Sequence, residues 1–275
     1  DHWQRLTGGR RPKGQEHRQV RNAQDAYLRC EVDWLAHIDA DEFIAPHRNL
    51  AHELACVPSE LSYLRLDVRE RVYSSQIPPQ TLFCGMLRVP FHRRRPAAKA
   101  VFGPKLEFLG RGLTGHSVGK SVVRARQDNV LMGIHMPRPV KRERGALAGL
   151  ECSSANLIHL NGLTPNHWMA KMSRYSHLRP RISDDAPLDN TLRQIKYLQA
   201  QPDTHAAILH LFELIRCVTP EDEWRLRGLG LIEDFPQDLA MGLERYDLRK
   251  NVDISIKQCD VEYSHWLPQL DEFAA

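Results

Sequence analysis

The spacing of apolar residues changes along the chain, from short runs of mixed period to a sustained helical period after about residue 162. Val20, Ala23, Tyr27 and Cys30 fall at helical spacing and predict a helix over 15–30. Trp34, Leu35 and Ile38 follow as a strand over 34–38, apolar on both faces as in a central parallel strand covered by helices. Leu50, Leu54 and Val57 predict a short helix that ends near Pro58. Residues 62–68 alternate, with Leu64, Leu66 and Val68 on one face and Arg65 and Asp67 on the other. That is the pattern of a half-exposed strand near a sheet edge. Pro and Gly break up residues 74–119. Two strands are expected at 120–124 and 130–135, joined by a turn at Gln127-Asp128-Asn129, and a third at 155–160.

From there the pattern is helical. Thr164-Pro165 is a start signal, with Trp168, Met172 and Tyr175 as the buried stripe. Helices are predicted at 188–200 and at 205–218, the second through Ile208, Leu211, Phe212 and Ile215. Thr219-Pro220-Glu221-Asp222 opens another. The expected architecture is an α/β part over 1–162, a mixed sheet with flanking helices, followed by a helical C-terminal region over 163–275.

Composition adds little to this. At 275 residues, 42% hydrophobic and 26% charged, the chain is ordinary for a globular protein. A net charge of +4 is too weak to argue for nucleic acid as a partner. No apolar run reaches the roughly 18 residues of a membrane span. The first residues, which begin with Asp1 rather than Met, carry no signal-peptide pattern. Six scattered cysteines without a Cys-x-x-Cys pair argue against thiolate-held zinc and fit a reducing compartment, so a cytoplasmic location is expected.

The candidate chemistry begins where the first strand ends. Asp39, Asp41 and Glu42 crowd three carboxylates behind Trp34-Leu-Ala-His-Ile. Acids this close repel unless a cation or basic group offsets them. A hard divalent cation with a phosphate completing its shell is one partner; a solvated turn or helix cap is the simpler alternative. His135, after an apolar run and Gly133, and His159, at the end of the third strand, are the candidate further ligands among 14 histidines. Lys120 follows Gly119, but Gly112, Gly115 and Gly119 are spaced wrongly for a phosphate-binding loop of the Walker type. Lys120 remains a candidate point charge for a diphosphate. The basic runs at 92–96 and 137–144 read either as solvated loops or as loops that neutralise phosphate.

Taken together, Trp34-Leu-Ala-His-Ile-Asp39-Ala-Asp41-Glu42-Phe43 resembles the hallmark segment of a bacterial branch of the family-2 glycosyltransferases, related to the family-92 enzymes. Gln19 with Asn22, Ala23 and Tyr27, Gly119-Lys120 through Gly133-Ile134-His135, and His159 with Trp168 and Lys171 resemble flanking segments in the same order. The resemblance covers about residues 15–180. It implies a GT-A-like fold and a transferase that uses Mn2+ or Mg2+ to move a sugar from a nucleotide-diphosphate donor to a glycan or lipid-linked acceptor. Such an enzyme would serve polysaccharide biosynthesis at the inner face of a membrane. By resemblance, Asp39, Asp41 and His135 would hold the metal, and Asp39, Lys120 and His159 would contact substrate. Glu42 is the nearest candidate general base, with Glu107, Glu143 and Glu151 also open.

Two departures matter. The Gln-x-x-Arg-Trp motif of processive synthases is absent. Only 33 residues precede Trp34, whereas the family places its first strands earlier; at about 30 residues per βαβ unit, roughly 60 more are expected upstream. The competing readings are a metal-dependent phosphoesterase or nuclease, and a truncated non-catalytic binding protein of the same fold. A dehalogenase-type phosphatase wants a small residue where Phe43 stands.

Overall fold

A computed structural model describes residues 8–10, 12–76, 80–141, 145–178, 180–183, 188–245 and 255–264. Helix α1 (Gln15–Leu28) leads into strands β1 (Trp34–Ala36) and β2 (Glu42–Pro46), then helix α2 (Leu50–Cys56). Strands β3 (Tyr63–Ser74) and β4 (Met86–Arg88) precede helix α3 (Arg95–Phe102), which runs into a 3-10 turn over Gly103–Phe108. Strands β5 (Lys120–Arg124), β6 (Val130–Leu131), β7 (Arg138–Pro139) and β8 (Gly149–His159) follow. The rest is α4 (Pro165–Leu178), α5 (Asn190–Gln199), α6 (Thr204–Arg216), β9 (Cys217–Val218), α7 (Pro220–Gly228), β10 (Ile232–Asp234), α8 (Gln237–Arg245) and α9 (Ile256–Ser264). The fold is mixed α/β. Among the described residues no helix is long and apolar enough to cross a membrane.

The chain divides into two units, Asp1–Val68 with Val118–Leu157, and Arg69–Ser117 with Ile158–Ala275. The expected boundary at 162 falls near the later crossing, but the second unit also takes in residues 69–117.

In the first unit β1 pairs with β5, β5 with β3, β3 with β8, and β8 with β2. Five residues separate β1 from β2, at the two ends of that row. Four strand spacings of about 4.8 Å approach the reach of so short a link. Part of that reach is taken up by a turn closed by the Glu42 N–H on the Asp39 carbonyl at 3.1 Å, so the row curls. Helix α1 covers it through Ala23 and Tyr27, which pack with Val123, Val130 and Met132. The Tyr27 hydroxyl accepts from the Gln127 N–H and donates to the Arg124 carbonyl, both at 3.0 Å, and so fixes the chain leaving β5.

Three expectations are corrected here. Strand β1 is half-buried, antiparallel to β5 and at the end of the row, not a central parallel strand. Strand β3 is the opposite case, since it pairs with β4, β5, β8 and β9 although its alternation suggested an edge. Asp67, facing away from the Leu64–Val68 stripe, is buried nonetheless. Strands β5 and β6 form no hairpin: β5 lies between β1 and β3, while β6 pairs with β7.

In the second unit β4 pairs antiparallel with β3 and β10, and β9 runs parallel to β3. Helices α4, α5 and α6 build its core with Trp168, Met172, Ile195, Leu198, Leu211 and Ile215, against Tyr73, Phe102 and Phe108 from the earlier segment. Each such side chain contributes about 1.5–3 kcal/mol by leaving water. Asp189, Asp203 and Thr219 cap their helices by accepting from the N–H three residues on. Of the basic run at 92–96, residues 92–94 form an exposed loop, one of the two expected readings, and only its last two residues enter helix α3. Pro96 sits in the first turn of α3, where its missing N–H costs nothing, and Ala98 and Phe102 bury the face one turn apart.

Candidate functional site

The antiparallel register Trp34↔Arg124, Ala36↔Val122 sets the chain leaving β1 beside the chain entering β5. Asp39 and Lys120 therefore meet at one end of the sheet although 81 residues separate them. Gly119 makes this approach feasible: it has φ +79°, and a Cβ there would lie 2.1 Å from the Leu66 carbonyl oxygen. Lys120 is 0% exposed, and its ammonium lies 3.0 Å from Asp39 and 3.4 Å from Glu42. A charge taken so completely from water is tolerable only when paired. The repulsion among the acids is thus offset from within the chain, by a lysine rather than by a metal alone.

The acids themselves stand on a β-turn, Asp39-Ala40-Asp41-Glu42, a setting that suits Asp. Glu42 is buried, and its Oε2 accepts from the Asp39 N–H at 2.7 Å, so its carboxylate holds the turn. Asp39 is 27% exposed and takes a second donor, Gln19 Nε2 at 3.2 Å. Three of the segments singled out in the sequence, at 19, 39–42 and 119–120, are joined by these contacts.

His135 sits on a tight loop. A Cβ at Gly133 would lie 2.2 Å from the Met136 carbonyl oxygen, so the loop needs glycine there. Ser121 Oγ donates to the His135 carbonyl at 2.9 Å, and the ring Nδ1 lies 3.1 Å from the Gly119 carbonyl. A carbonyl only accepts, so Nδ1 carries hydrogen and the neutral ring keeps its lone pair on Nε2, the tautomer of a metal-ligating histidine. Asp39, Asp41 and His135 thus fit a hard divalent cation chemically. Among the described residues of this unit, however, they do not form a group with all ligand atoms within 4.8 Å of one another.

One neighbour was not singled out from the sequence. His37, between β1 and the acids, bonds the backbone at Gly133, and burial together with the Lys120 charge holds its ring below the ordinary histidine value. Its buried Nδ1 has no hydrogen-bond partner among the described residues. One histidine among 14 carries no signal in spacing; only its place between the strand and the acids could have marked it.

His159 belongs to the second unit, where its ring stacks on His116 at 4.8 Å beside a buried polar cluster. At the centre of that cluster is Glu70, 0% exposed. Its Oε1 accepts from the Thr114 N–H at 2.8 Å and hydroxyl at 2.7 Å, and lies 3.4 Å from Arg216. Its Oε2 accepts from the Gly115 N–H at 2.6 Å and from Asn161 at 3.3 Å, and Asn161 in turn accepts from Lys171. Burial opposes ionisation of Glu70, but Arg216, His159 and the Thr114 donors outweigh it and hold the carboxyl below its usual value.

Of the other acids considered as bases, Glu151 pairs with Arg65 at 3.1 Å, Glu107 is exposed, and Glu143 lies outside the described residues. Comparison with protein-family models, curated proteins and solved structures finds no significant match.

Proposed function

We propose that the protein is a metal-dependent glycosyltransferase that takes a sugar from a nucleotide-diphosphate donor, working at the cytoplasmic side of a membrane. The reading rests on the convergence of Gln19, Asp39 and Lys120, from separate segments of the resemblance, on one acidic turn. Asp41 and His135 would hold Mn2+ or Mg2+, with Asp39 facing the ion or the donor. A metal held there would supply positive charge to the departing diphosphate, so that the leaving group would need no proton donor. Lys120 fixes Asp39 through its ammonium, and Gln19 fixes it from the other oxygen. Glu42, tied to the Asp39 N–H, positions the turn.

The test is thermal unfolding with Mn2+ and UDP, GDP, CDP or ADP. One nucleotide should stabilise the protein only when the metal is present. At 100 times its dissociation constant the gain is about 2.7 kcal/mol, and Asp41→Ala should remove it. If no nucleotide shifts the transition, with or without Mn2+, the reading is wrong.

A further inference from the structure

Helix α1 and the loop that carries His135 enclose a cleft of about 610 Å³ within the first unit. That size suits a small organic ligand. Val20 on the helix, Leu131 at the end of β6, and Ile134 and Met136 on the loop line it, all four half-buried and so open to an occupant. Arg21 and Arg138, both exposed, stand on its two walls. Glu16 is the one acidic side chain among the described residues that line it. The cleft is therefore apolar inside and positive at its rim.

We infer that this cleft binds a single-chain lipid carrying a phosphate headgroup, the chain along the aliphatic wall and the phosphate between the two arginines. A nucleotide base is the weaker fit. Bases are read by hydrogen bonds, and Gln24 is the one amide side chain among the described lining residues. Its oxygen is already engaged by the Met132 N–H at 2.7 Å. A hydrocarbon chain needs only apolar contact, and arginine suits phosphate through its forked donors. His135 also lines the cleft, so an occupant shares this cleft with the residue assigned to the metal. As an acceptor site, a lipid-linked phosphate receiving the sugar, the cleft rests on the glycosyltransferase reading; as a lipid-phosphate site it does not.

Titration calorimetry of the full chain with decyl phosphate, below its micelle concentration, tests this. Saturable one-to-one binding is expected, with inorganic phosphate and uncharged decyl maltoside each at least tenfold weaker. Ile134→Asp, and separately Arg21→Ala combined with Arg138→Ala, should each weaken decyl phosphate at least tenfold. The arginines are exposed, so the double variant keeps the test valid if Ile134→Asp misfolds. Absence of saturable binding, equal binding of phosphate alone, or unchanged affinity in the double variant overturns the assignment. Asp41→Ala separates the two proposals, because it should abolish the nucleotide response and leave decyl phosphate binding intact.

Discussion

Each unit buries a carboxylate against a cation, and the two do it differently. Glu70 is sealed: its two oxygens take four hydrogen bonds from Thr114, Gly115 and Asn161, with Arg216 at 3.4 Å as an ion-pair partner and Arg88 and His159 adding positive charge. Asp39 and Glu42 both reach Lys120, and Asp39 keeps 27% of its side chain in reach of water. A sealed carboxylate with both oxygens engaged holds structure and has nothing left to offer a ligand. A partly hydrated one, as Asp39 is, still has a face for a cation. The same residue types thus mark a keystone in one unit and a candidate binding site in the other.

The largest effect should come from breaking the sealed pair. Glu70→Gln leaves Arg216 buried without its counter-charge, a loss of about 3–5 kcal/mol from the roughly 5–15 kcal/mol typical of a fold. Urea unfolding should show a lower midpoint at unchanged slope, and Mn2+ should restore nothing. Lys120→Met attacks the open cluster. Because Asp39 is partly hydrated, a smaller loss of about 2–3 kcal/mol is expected. In this variant Mn2+ should raise the melting temperature by more than in the parent, since a metal then replaces the missing charge. Equal shifts in the two would erase the distinction between sealed and open clusters.

The smallest effect concerns pH. His37 takes up a proton less readily folded than unfolded, so the unfolded chain gains it first as pH falls. Its contribution is complete above the ordinary histidine value near 6.5 and declines below it. His37→Gln should flatten that part of the stability profile between pH 7 and 5. An unchanged slope would mean that His37 is not held down by burial and Lys120 as described.

How far the residues announced all this varies with how local the determinants are. Helices α4 to α7 follow their apolar periods and their caps at Thr164, Asp189, Asp203 and Thr219, all within a few residues of chain. Strand β3 misled because Asp67, one of its polar positions, is buried in a strand whose neighbours are distant in sequence. Helix α3 was hidden by arginines whose charge says nothing about backbone. The acidic turn was legible as a cluster. Its neutralisation by Lys120 was not, for a lysine 81 residues away becomes a partner only once the antiparallel register is known.

That turn also does mechanical work. It is the clasp that joins the first and last strands of the curled row, because β1 ends just before it and β2 begins at Glu42. An ion gripped by Asp39 or Asp41 fastens both strands at once. A cation bound there should therefore slow amide exchange in β1 and β2 together, a mechanical coupling of the two ends of the row through one turn.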